Sequence, residues 1–265
     1  FDEDPVQDGD TVSVEPGTYN ESVSISTKNV TLEGPNAGIN ENRDVRSDEA
    51  VIAGQVSVSA QNVTVNGLQV TPNTETFNQK PAAAIIVSES DATVQNNRIA
   101  DFTVSITDIE PNSIQGIQVF NAGNKITGIG IQNNSVENIT YEGSSQAPSG
   151  DFGTDYGNLY GIHVQGEIGD TVVEKNTIRD LTSDGYTLAT AVSGTDSDQT
   201  ANPEEIVVKG NIYENLNAKG LPATAFTISG DRVNATNVRV NNKSINGPVG
   251  VYNGASEKLD ATSNW

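Results

Sequence analysis

A six-residue pattern of polar and apolar positions recurs four times along the middle of the chain. It reads Asn, any residue, an apolar residue, any residue, Asp or Asn, and an apolar residue, and it begins at Asn97, Asn134, Asn176 and Asn211. The residues five and three positions before each asparagine are apolar, with Thr171 as the one exception. Apolar residues two apart indicate a β-strand with one buried face. Each repeat therefore predicts a strand, a turn at the asparagine and a second short strand.

A third apolar segment in each repeat predicts one more strand. These segments are AIIV (84–87), GIQV (116–119), GIHV (161–164), ATAV (189–192) and AFTI (225–228). Such short strands are stable only when each pairs with its counterpart in the repeats above and below. Because every repeat runs in the same direction, that pairing is parallel. Stacking then places the four asparagines in one column, where their side-chain amides can hydrogen-bond from coil to coil.

The N-terminal third lacks the asparagine pattern but contains closely spaced pairs of apolar positions, such as Val12 and Val14 or Val63 and Val65. These pairs predict shorter coils of the same helix. The sequence thus predicts an all-β fold, a single-stranded right-handed parallel β-helix (β-solenoid) of about eight coils with an Asn ladder. We expect one domain over 1–265: short coils at 1–70, coils with long loop insertions at 71–248, and an incomplete closing segment at 249–265.

Three segments resemble the right-handed parallel β-helix (pectate-lyase-like) superfamily. GDTVSVEPGTYNESVSI at 9–25 resembles the first coil of many of its members, VTLEGPNAGI at 30–39 resembles the step that follows, and LDATSNW at 259–265 resembles the start of a tryptophan-containing closing segment. The superfamily includes pectate lyases, polygalacturonases, alginate epimerases, phage tailspikes, adhesins and scaffolds. The resemblance therefore implies the fold and leaves the activity open.

The charge balance narrows the possible partners. The chain has 14 Lys and Arg residues against 35 Asp and Glu residues, a net charge of −21 at pH 7. This argues against nucleic acid or an anionic membrane as partner, since both require basic patches. In composition the chain resembles haloarchaeal surface or secreted β-helix repeat proteins, whose dispersed acidic surfaces suit concentrated salt. No cysteine is present, which excludes disulfides and thiol chemistry, and no apolar run is long enough to span a membrane.

The predicted outward columns contain little that could do chemistry. One column is Ile86, Gln118, His163, Ala191 and Thr227, and the neighbouring one is Thr93, Gly130, Val172, Val207 and Arg239. The resemblance implies that lyases and hydrolases of this fold need paired carboxylates or a carboxylate with a base. Neither column contains such a group of residues. Asp101 and Asp180, at the fifth position of the pattern, are predicted to be turn residues that cap backbone amides.

We predict no catalytic residue, and Tyr160 and His163 are the candidates that remain if the protein is an enzyme. The segment NLYGIHV faintly resembles the Tyr-Gly-x-Asp-Pro-His motif of alginate epimerases but lacks its Asp-Pro. The alternative is that His163 is a surface histidine that points outward from the third strand of its repeat and has no catalytic role.

The insertion from Thr140 to Tyr160 is the candidate ligand-binding loop, because aromatic rings beside carboxylates suit sugar rings and their hydroxyls. The candidate residues are Tyr141, Asp151, Phe152, Asp155 and Tyr156. The alternative is a loop that packs its own aromatics against the rod. DSD at 196–198 and DFGTD at 151–155 supply oxygen ligands but form no complete Ca²⁺ loop, so we expect no metal and no cofactor.

Three classes of function remain open. We expect an extracellular or cell-surface structural or adhesive protein that can self-associate head to tail through its β-helix ends into a filament or surface layer. The alternatives are a carbohydrate-active enzyme (lyase, epimerase or hydrolase) and a carbohydrate-binding module, with surface glycans or polysaccharide as partners. Export would allow N-glycosylation at the Asn-x-Ser/Thr sequons, which begin at Asn20, Asn29, Asn62, Asn133, Asn138, Asn234 and Asn242.

Overall fold

The computed structural model describes residues 5–39, 45–73, 82–106, 113–143, 158–194, 203, 205–218, 223–229, 239–241, 244–245 and 249–253. Within these ranges every regular element is a β-strand. The strands in chain order are β1 (Thr11–Ser13), β2 (Gly17–Tyr19), β3 (Val23–Ile25), β4 (Thr31–Glu33), β5 (Ala50–Ile52), β6 (Val56–Val58), β7 (Thr64–Asn66), β8 (Gln69–Val70), β9 (Ala83–Val87), β10 (Thr93–Gln95), β11 (Arg98–Ile106), β12 (Ser113–Ile126), β13 (Ile129–Gln132), β14 (Ser135–Gly143), β15 (Asn158–Ile168), β16 (Thr171–Glu174), β17 (Thr177–Ser183), β18 (Thr187–Ser193), β19 (Ile206–Lys209), β20 (Ile212–Ala218), β21 (Ala223–Ser229), β22 (Arg239–Asn241), β23 (Ser244–Ile245) and β24 (Val249–Asn253).

Three parallel sheets run along the molecule, and each coil contributes one strand to each sheet. Sheet A has the order β1-β4-β7-β10-β13-β16-β19-β22, and sheet B has the order β2-β5-β8-β11-β14-β17-β20-β23. Sheet C has the order β3-β6-β9-β12-β15-β18-β21-β24. Every third strand in the chain therefore returns to the same sheet one layer further along. This arrangement is a parallel β-helix, which confirms the predicted fold class.

The interior is filled by the apolar positions that precede each asparagine of the pattern. Val94, Ile131, Val173 and Val208 pair in register along sheet A and are fully buried. Burying one such aliphatic side chain contributes about 1.5–3 kcal/mol. Thr171, the polar exception, is also buried, and its hydroxyl donates to the carbonyl oxygen of Gly169 over 3.2 Å. The core therefore accepts this threonine because its hydroxyl is satisfied locally.

The predicted Asn ladder is present at the turn between sheets A and B. Asn97 Nδ2 donates to Asn134 Oδ1 over 3.1 Å, Asn134 Nδ2 to Asn176 Oδ1 over 3.0 Å, and Asn176 Nδ2 to Asn211 Oδ1 over 3.0 Å. The backbone N–H of each donating asparagine reaches the same oxygen. At the first asparagine, Leu68 N–H donates to Asn97 Oδ1 over 3.0 Å. The ladder thus supplies the hydrogen-bond partners that water would otherwise provide to the amide groups buried in this tight bend.

The fifth position of the pattern also has a structural role, which differs from the predicted one. Asp101, Asn138, Asp180 and Asn215 lie inside strands of sheet B rather than in turns, and the strand register skips all four. Their φ angles of 50° to 63° are left-handed, a region that Asp and Asn tolerate better than other non-glycine residues. Asn138 Nδ2 donates to Asp101 Oδ1 over 3.0 Å, and Asn215 Nδ2 to Asp180 Oδ1 over 2.9 Å. These residues form bulges that bond to one another.

Candidate functional site

The outer face of sheet C carries the column that contains the only histidine. Ile86, Gln118, His163, Ala191 and Thr227 are register partners from β9 to β21, as the sequence predicts. All five are buried, although they alternate with inward core residues. His163 is 5% exposed, so the expectation of a surface histidine is wrong.

A second column on the same face lies three residues earlier. In a regular strand, residues three apart face opposite sides, yet Gln115 and Gln118 both lie outside the core because the register skips Gly116. The register likewise skips Gly161, where an added Cβ would lie 2.6 Å from the carbonyl oxygen of Ala189. Only a glycine allows this close approach. The bend brings Tyr160 and His163 to the same face.

We use the name sheet C cleft for eight residues on this outer face. Its floor consists of the buried side chains of Gln115, Gln118, His163 and Thr227. Its rim consists of the half-buried side chains of Phe120, Tyr160, Gln165 and Ser193. Phe120, Gln165 and Ser193 are register partners in a third column beside the histidine column. The cleft is therefore built entirely on strands, which hold its side chains in fixed positions.

Each floor residue has a polar atom without a hydrogen-bond partner. These atoms are Gln115 Oε1, Gln118 Oε1, His163 Nδ1 and Thr227 Oγ1. A buried polar group left unpaired costs about 1–3 kcal/mol, and native proteins rarely leave several together. Ser135 Oγ, the fifth such atom in the described residues, lies on sheet B instead. Four of the five unpaired buried polar atoms in the described residues therefore lie on the outer face of sheet C.

The two glutamine amides use their nitrogens within the protein and leave their oxygens free. Gln115 Nε2 donates to Ser113 Oγ over 2.9 Å. Gln118 Nε2 donates to Gln165 Oε1 over 3.4 Å. These bonds fix the orientation of both amides, so the free atom in each case is the carbonyl oxygen, which accepts hydrogen bonds only.

The two predicted catalytic candidates stack on each other. The rings of Tyr160 and His163 are 4.2 Å apart between centroids and 8° from parallel. Burial raises the pKa of Tyr160 to about 12, although a hydrogen bond from Asn158 opposes it. Burial lowers the pKa of His163 to about 4. Proton transfer is most efficient when the pKa of the catalytic group is near the working pH, so neither group is tuned for it at neutral pH.

His163 and Ser193 have the spacing of a base and a nucleophile, since His163 Nε2 lies 2.8 Å from Ser193 Oγ. An activated serine also requires an acidic or polar group that orients the histidine. Here His163 Nδ1, the atom such a group would contact, has no partner. The pair therefore resembles a serine dyad in distance only.

The strand segments that form the cleft carry no charge. Residues 113–120, 158–165, 187–193 and 223–229 contain no Lys, Arg, Asp or Glu. The densest ion-pair network in the described part lies on sheet B, where Arg98 Nε and Arg179 Nε donate to opposite oxygens of Glu137 over 2.7 Å and 2.6 Å. Burial raises the pKa of Glu137, but the two arginines outweigh it and hold the pKa below its ordinary value. A carboxylate held in this way is a structural anion rather than a general acid.

The predicted aromatic loop is only partly a loop. Tyr141 lies in β14 and belongs to the hydrophobic core, where burial, with the charge of Asp184, raises its pKa. Its prediction as a ligand-binding residue is wrong, because its side chain packs inward. Asp151, Phe152, Asp155 and Tyr156 lie outside the described residues, as do both acidic segments, DFGTD at 151–155 and DSD at 196–198.

Two further features of the described residues bear on function. They contain no group of three or more His, Asp or Glu side chains that could hold a metal ion. No helix among them has the length and apolar character needed to cross a membrane.

The sequons differ in accessibility. Asn20 is exposed, whereas Asn62 Nδ2 donates to Asn29 Oδ1 and Asn138 Nδ2 to Asp101 Oδ1. Asn133 is half-buried. Asn234 and Asn242 lie outside the described residues. Among the described sequons, Asn20 is therefore the one whose side chain is exposed without a bond to a neighbouring coil.

Comparison with known proteins gives few matches. No family model matches the chain, and no curated protein matches it. One matching solved structure is a complex of the alginate lyase AlyF-OU02 with G6. It shares 12% sequence identity at a TM-score of 0.31, over 97% of this chain and 82% of that chain. At this TM-score the likeness carries no argument about activity.

Proposed function

We propose that the protein is an extracellular or cell-surface adhesive β-helix that binds carbohydrate in the sheet C cleft without turning it over. The observation that carries this proposal is the set of four buried, unpaired polar atoms on one outer face. A rigid scaffold that leaves such atoms unpaired gains stability when a ligand supplies their partners.

Carbohydrate fits the chemistry of the cleft better than an apolar ligand. Sugar hydroxyls can donate to the glutamine oxygens of the floor, and the apolar face of a sugar ring can pack on an aromatic ring. Phe120 offers such a ring at the rim, half-buried and directly beside Gln165 in the register. The cleft thus combines polar atoms and an aromatic surface within three adjacent columns.

The absence of turnover is proposed from the same residues. The pKa values of Tyr160 and His163 lie far from neutrality, and the unpaired Nδ1 atom leaves His163 without an orienting carboxylate. The runner-up is a carbohydrate-active enzyme that uses the His163–Ser193 pair. Product analysis after long incubation with polysaccharides separates the two, because shortened or unsaturated products that disappear in Ser193→Ala would establish the enzyme.

Binding is tested with two matched variants. Gln118→Leu removes a floor oxygen, whereas Gln132→Leu makes the same change on sheet A, away from the cleft. We expect the wild type and Gln132→Leu to bind a polysaccharide equally, and Gln118→Leu to bind it at least about tenfold more weakly. Equal binding by both variants, with unchanged melting temperatures, would contradict the proposed site.

We further propose that the molecule assembles head to tail. In the described part, β1, β2 and β3 each pair with a strand on one side only. Val12, Val14, Tyr19 and Val23 are only partly buried at this end. Unpaired strand edges recruit further strands, and a contact of this type that does not close builds a filament. Sedimentation and electron microscopy test this: concentration-dependent rods are expected, and a strict monomer at high concentration argues against it.

Export to the cell surface is tested through the sequons. Mass spectrometry of protein purified from its native source is expected to find a glycan at Asn20, because that side chain is exposed. A native protein without glycan on any sequon would remove this support for an extracellular location.

A further inference from the structure

We infer that the sheet C cleft selects uncharged, hydroxyl-rich glycans and excludes polyuronates. The inference rests on the proposed carbohydrate binding and adds the chemical class of the ligand. Three independent features of the cleft lead to it: the kind of polar atom left unpaired, the absence of cations, and the aromatic rim.

The unpaired atoms are mainly acceptors. Gln115 Oε1 and Gln118 Oε1 accept hydrogen bonds only, because the amide nitrogens already donate within the protein. Thr227 Oγ1 can accept as well as donate. Sugar hydroxyls are donors, so they complement these oxygens. A carboxylate is an acceptor without a proton at neutral pH, so it would face two carbonyl oxygens without gaining a bond.

The described strands of the cleft offer no cation that could offset a ligand's negative charge. The segments that form the cleft contain no Lys or Arg. His163 stays neutral because burial lowers its pKa to about 4. A carboxylate brought into this face loses its hydration without a compensating ion pair, which is strongly unfavourable. The net charge of −21 adds long-range repulsion of any polyanion.

The aromatic side chain at the rim of the cleft also favours an uncharged sugar ring. Phe120 is half-buried and lies one residue beyond Val119, which points into the core. Its ring is therefore on the outer face, two residues along the same strand from Gln118. Tyr160 is stacked on His163 and packs against the cluster of Tyr186, Leu188 and Ala191. Within the described rim, Phe120 is the aromatic ring outside these contacts. The face of an aromatic ring carries partial negative charge. It therefore packs well against the apolar face of a sugar ring and does not attract a carboxylate.

The direct test compares polygalacturonate with its methyl ester, which has the same backbone without the charge. Dextran, mannan and galactan are included as neutral probes and alginate as an acidic probe. All titrations are made in molar salt, where long-range repulsion is screened and only the local chemistry of the cleft remains. At least one neutral polysaccharide is expected to bind, and each acidic one at least about tenfold more weakly.

The other outcomes are distinguishable. If an acidic polysaccharide binds as tightly as any neutral one, the ligand class is wrong while carbohydrate binding stands. If none of the probes binds, both the proposed function and this inference fail.

A pair of charge-adding variants tests the reason for the selection. Gln165→Lys places a cation at the rim of the cleft, and Gln132→Lys makes the same net-charge change on sheet A. Only Gln165→Lys is expected to gain polygalacturonate binding, by about tenfold. An equal gain in both variants would mean that net charge, rather than the chemistry of the cleft, excludes polyuronates. Melting temperatures of both variants verify that they fold.

Discussion

Asn134 Nδ2 donates to Asn176 Oδ1 over 3.0 Å at a turn where both side chains are buried. Asn176 also uses its Nδ2 group to reach the carbonyl oxygen of Ile131, and its backbone N–H bonds to Asn211 Oδ1. One asparagine therefore connects the coil before it with the coil after it. Asn97, Asn134 and Asn176 each make this connection, and Asn211 accepts the last of the side-chain bonds.

Replacing Asn176 with alanine is expected to lower the free energy of unfolding by about 1–3 kcal/mol, because the substitution strands buried groups on both neighbouring coils. Chemical denaturation measures the loss. Asn217→Ala is the matched control, since Asn217 is exposed in β20 and outside the ladder. A melting curve for Asn176→Ala that overlays the wild type would contradict the structural role of the ladder.

The acid stability of the fold is expected to depend on Glu137. Its pKa is lower folded than unfolded, since Arg98 and Arg179 outweigh the effect of burial. The resulting stabilisation is complete above the unfolded pKa of about 4.3 and is lost as the pH falls through the folded value. Glu137→Gln is therefore expected to destabilise the protein at pH 7 by about 2 kcal/mol and by much less in acid. A loss that is the same at both pH values would argue against the charge as its cause.

The stability of the fold also depends on pH through His163, over a different pH range from that of Glu137. Burial lowers its pKa to about 4, from 6.5 in the unfolded chain. Between these values only the unfolded state binds the proton, so stability rises with pH across this window. Because the chain contains one histidine, NMR can follow the imidazole signals without assignment ambiguity. A titration midpoint near 6.5 in the folded protein would contradict the buried position.

The net charge of −21 predicts a strong salt dependence. Self-repulsion weakens the compact state at low ionic strength, and raising the salt from about 0.1 M to 1 M shortens the screening length from ~10 Å to ~3 Å. The melting temperature is therefore expected to rise steeply with KCl. A flat melting temperature over this range would mean that the acidic surface is not destabilising.

The sequence predicts the ladder and the columns because both depend on fixed spacing. The offsets of Val94 and Ile131 from their asparagines place each inward residue above the next, and stacking requires nothing further. The burial of Gln118 and His163 could not be predicted in this way. It depends on the bend at Gly116 and Gly161 and on neighbours from other coils, which are far away in the chain.

The position of Tyr141 was predictable in principle. Ile139 and Tyr141 continue the two-residue alternation of β14, and both are buried. The predicted strand ended too early because the phrase at Asn134 ends at Ile139. Gln165 and Ser193 were missed for a different reason: nothing in their local sequence distinguishes them, and only the register with Phe120 brings them to the rim.

The occupancy of the sheet C cleft can be measured directly through its one histidine. The imidazole signals of His163 are followed by NMR while a polysaccharide that binds the protein is added. If the glycan occupies the cleft, these signals are expected to shift and to saturate with the same affinity as the calorimetric binding curve. Full binding that leaves the signals of His163 unchanged would contradict the account, since the glycan would then bind elsewhere.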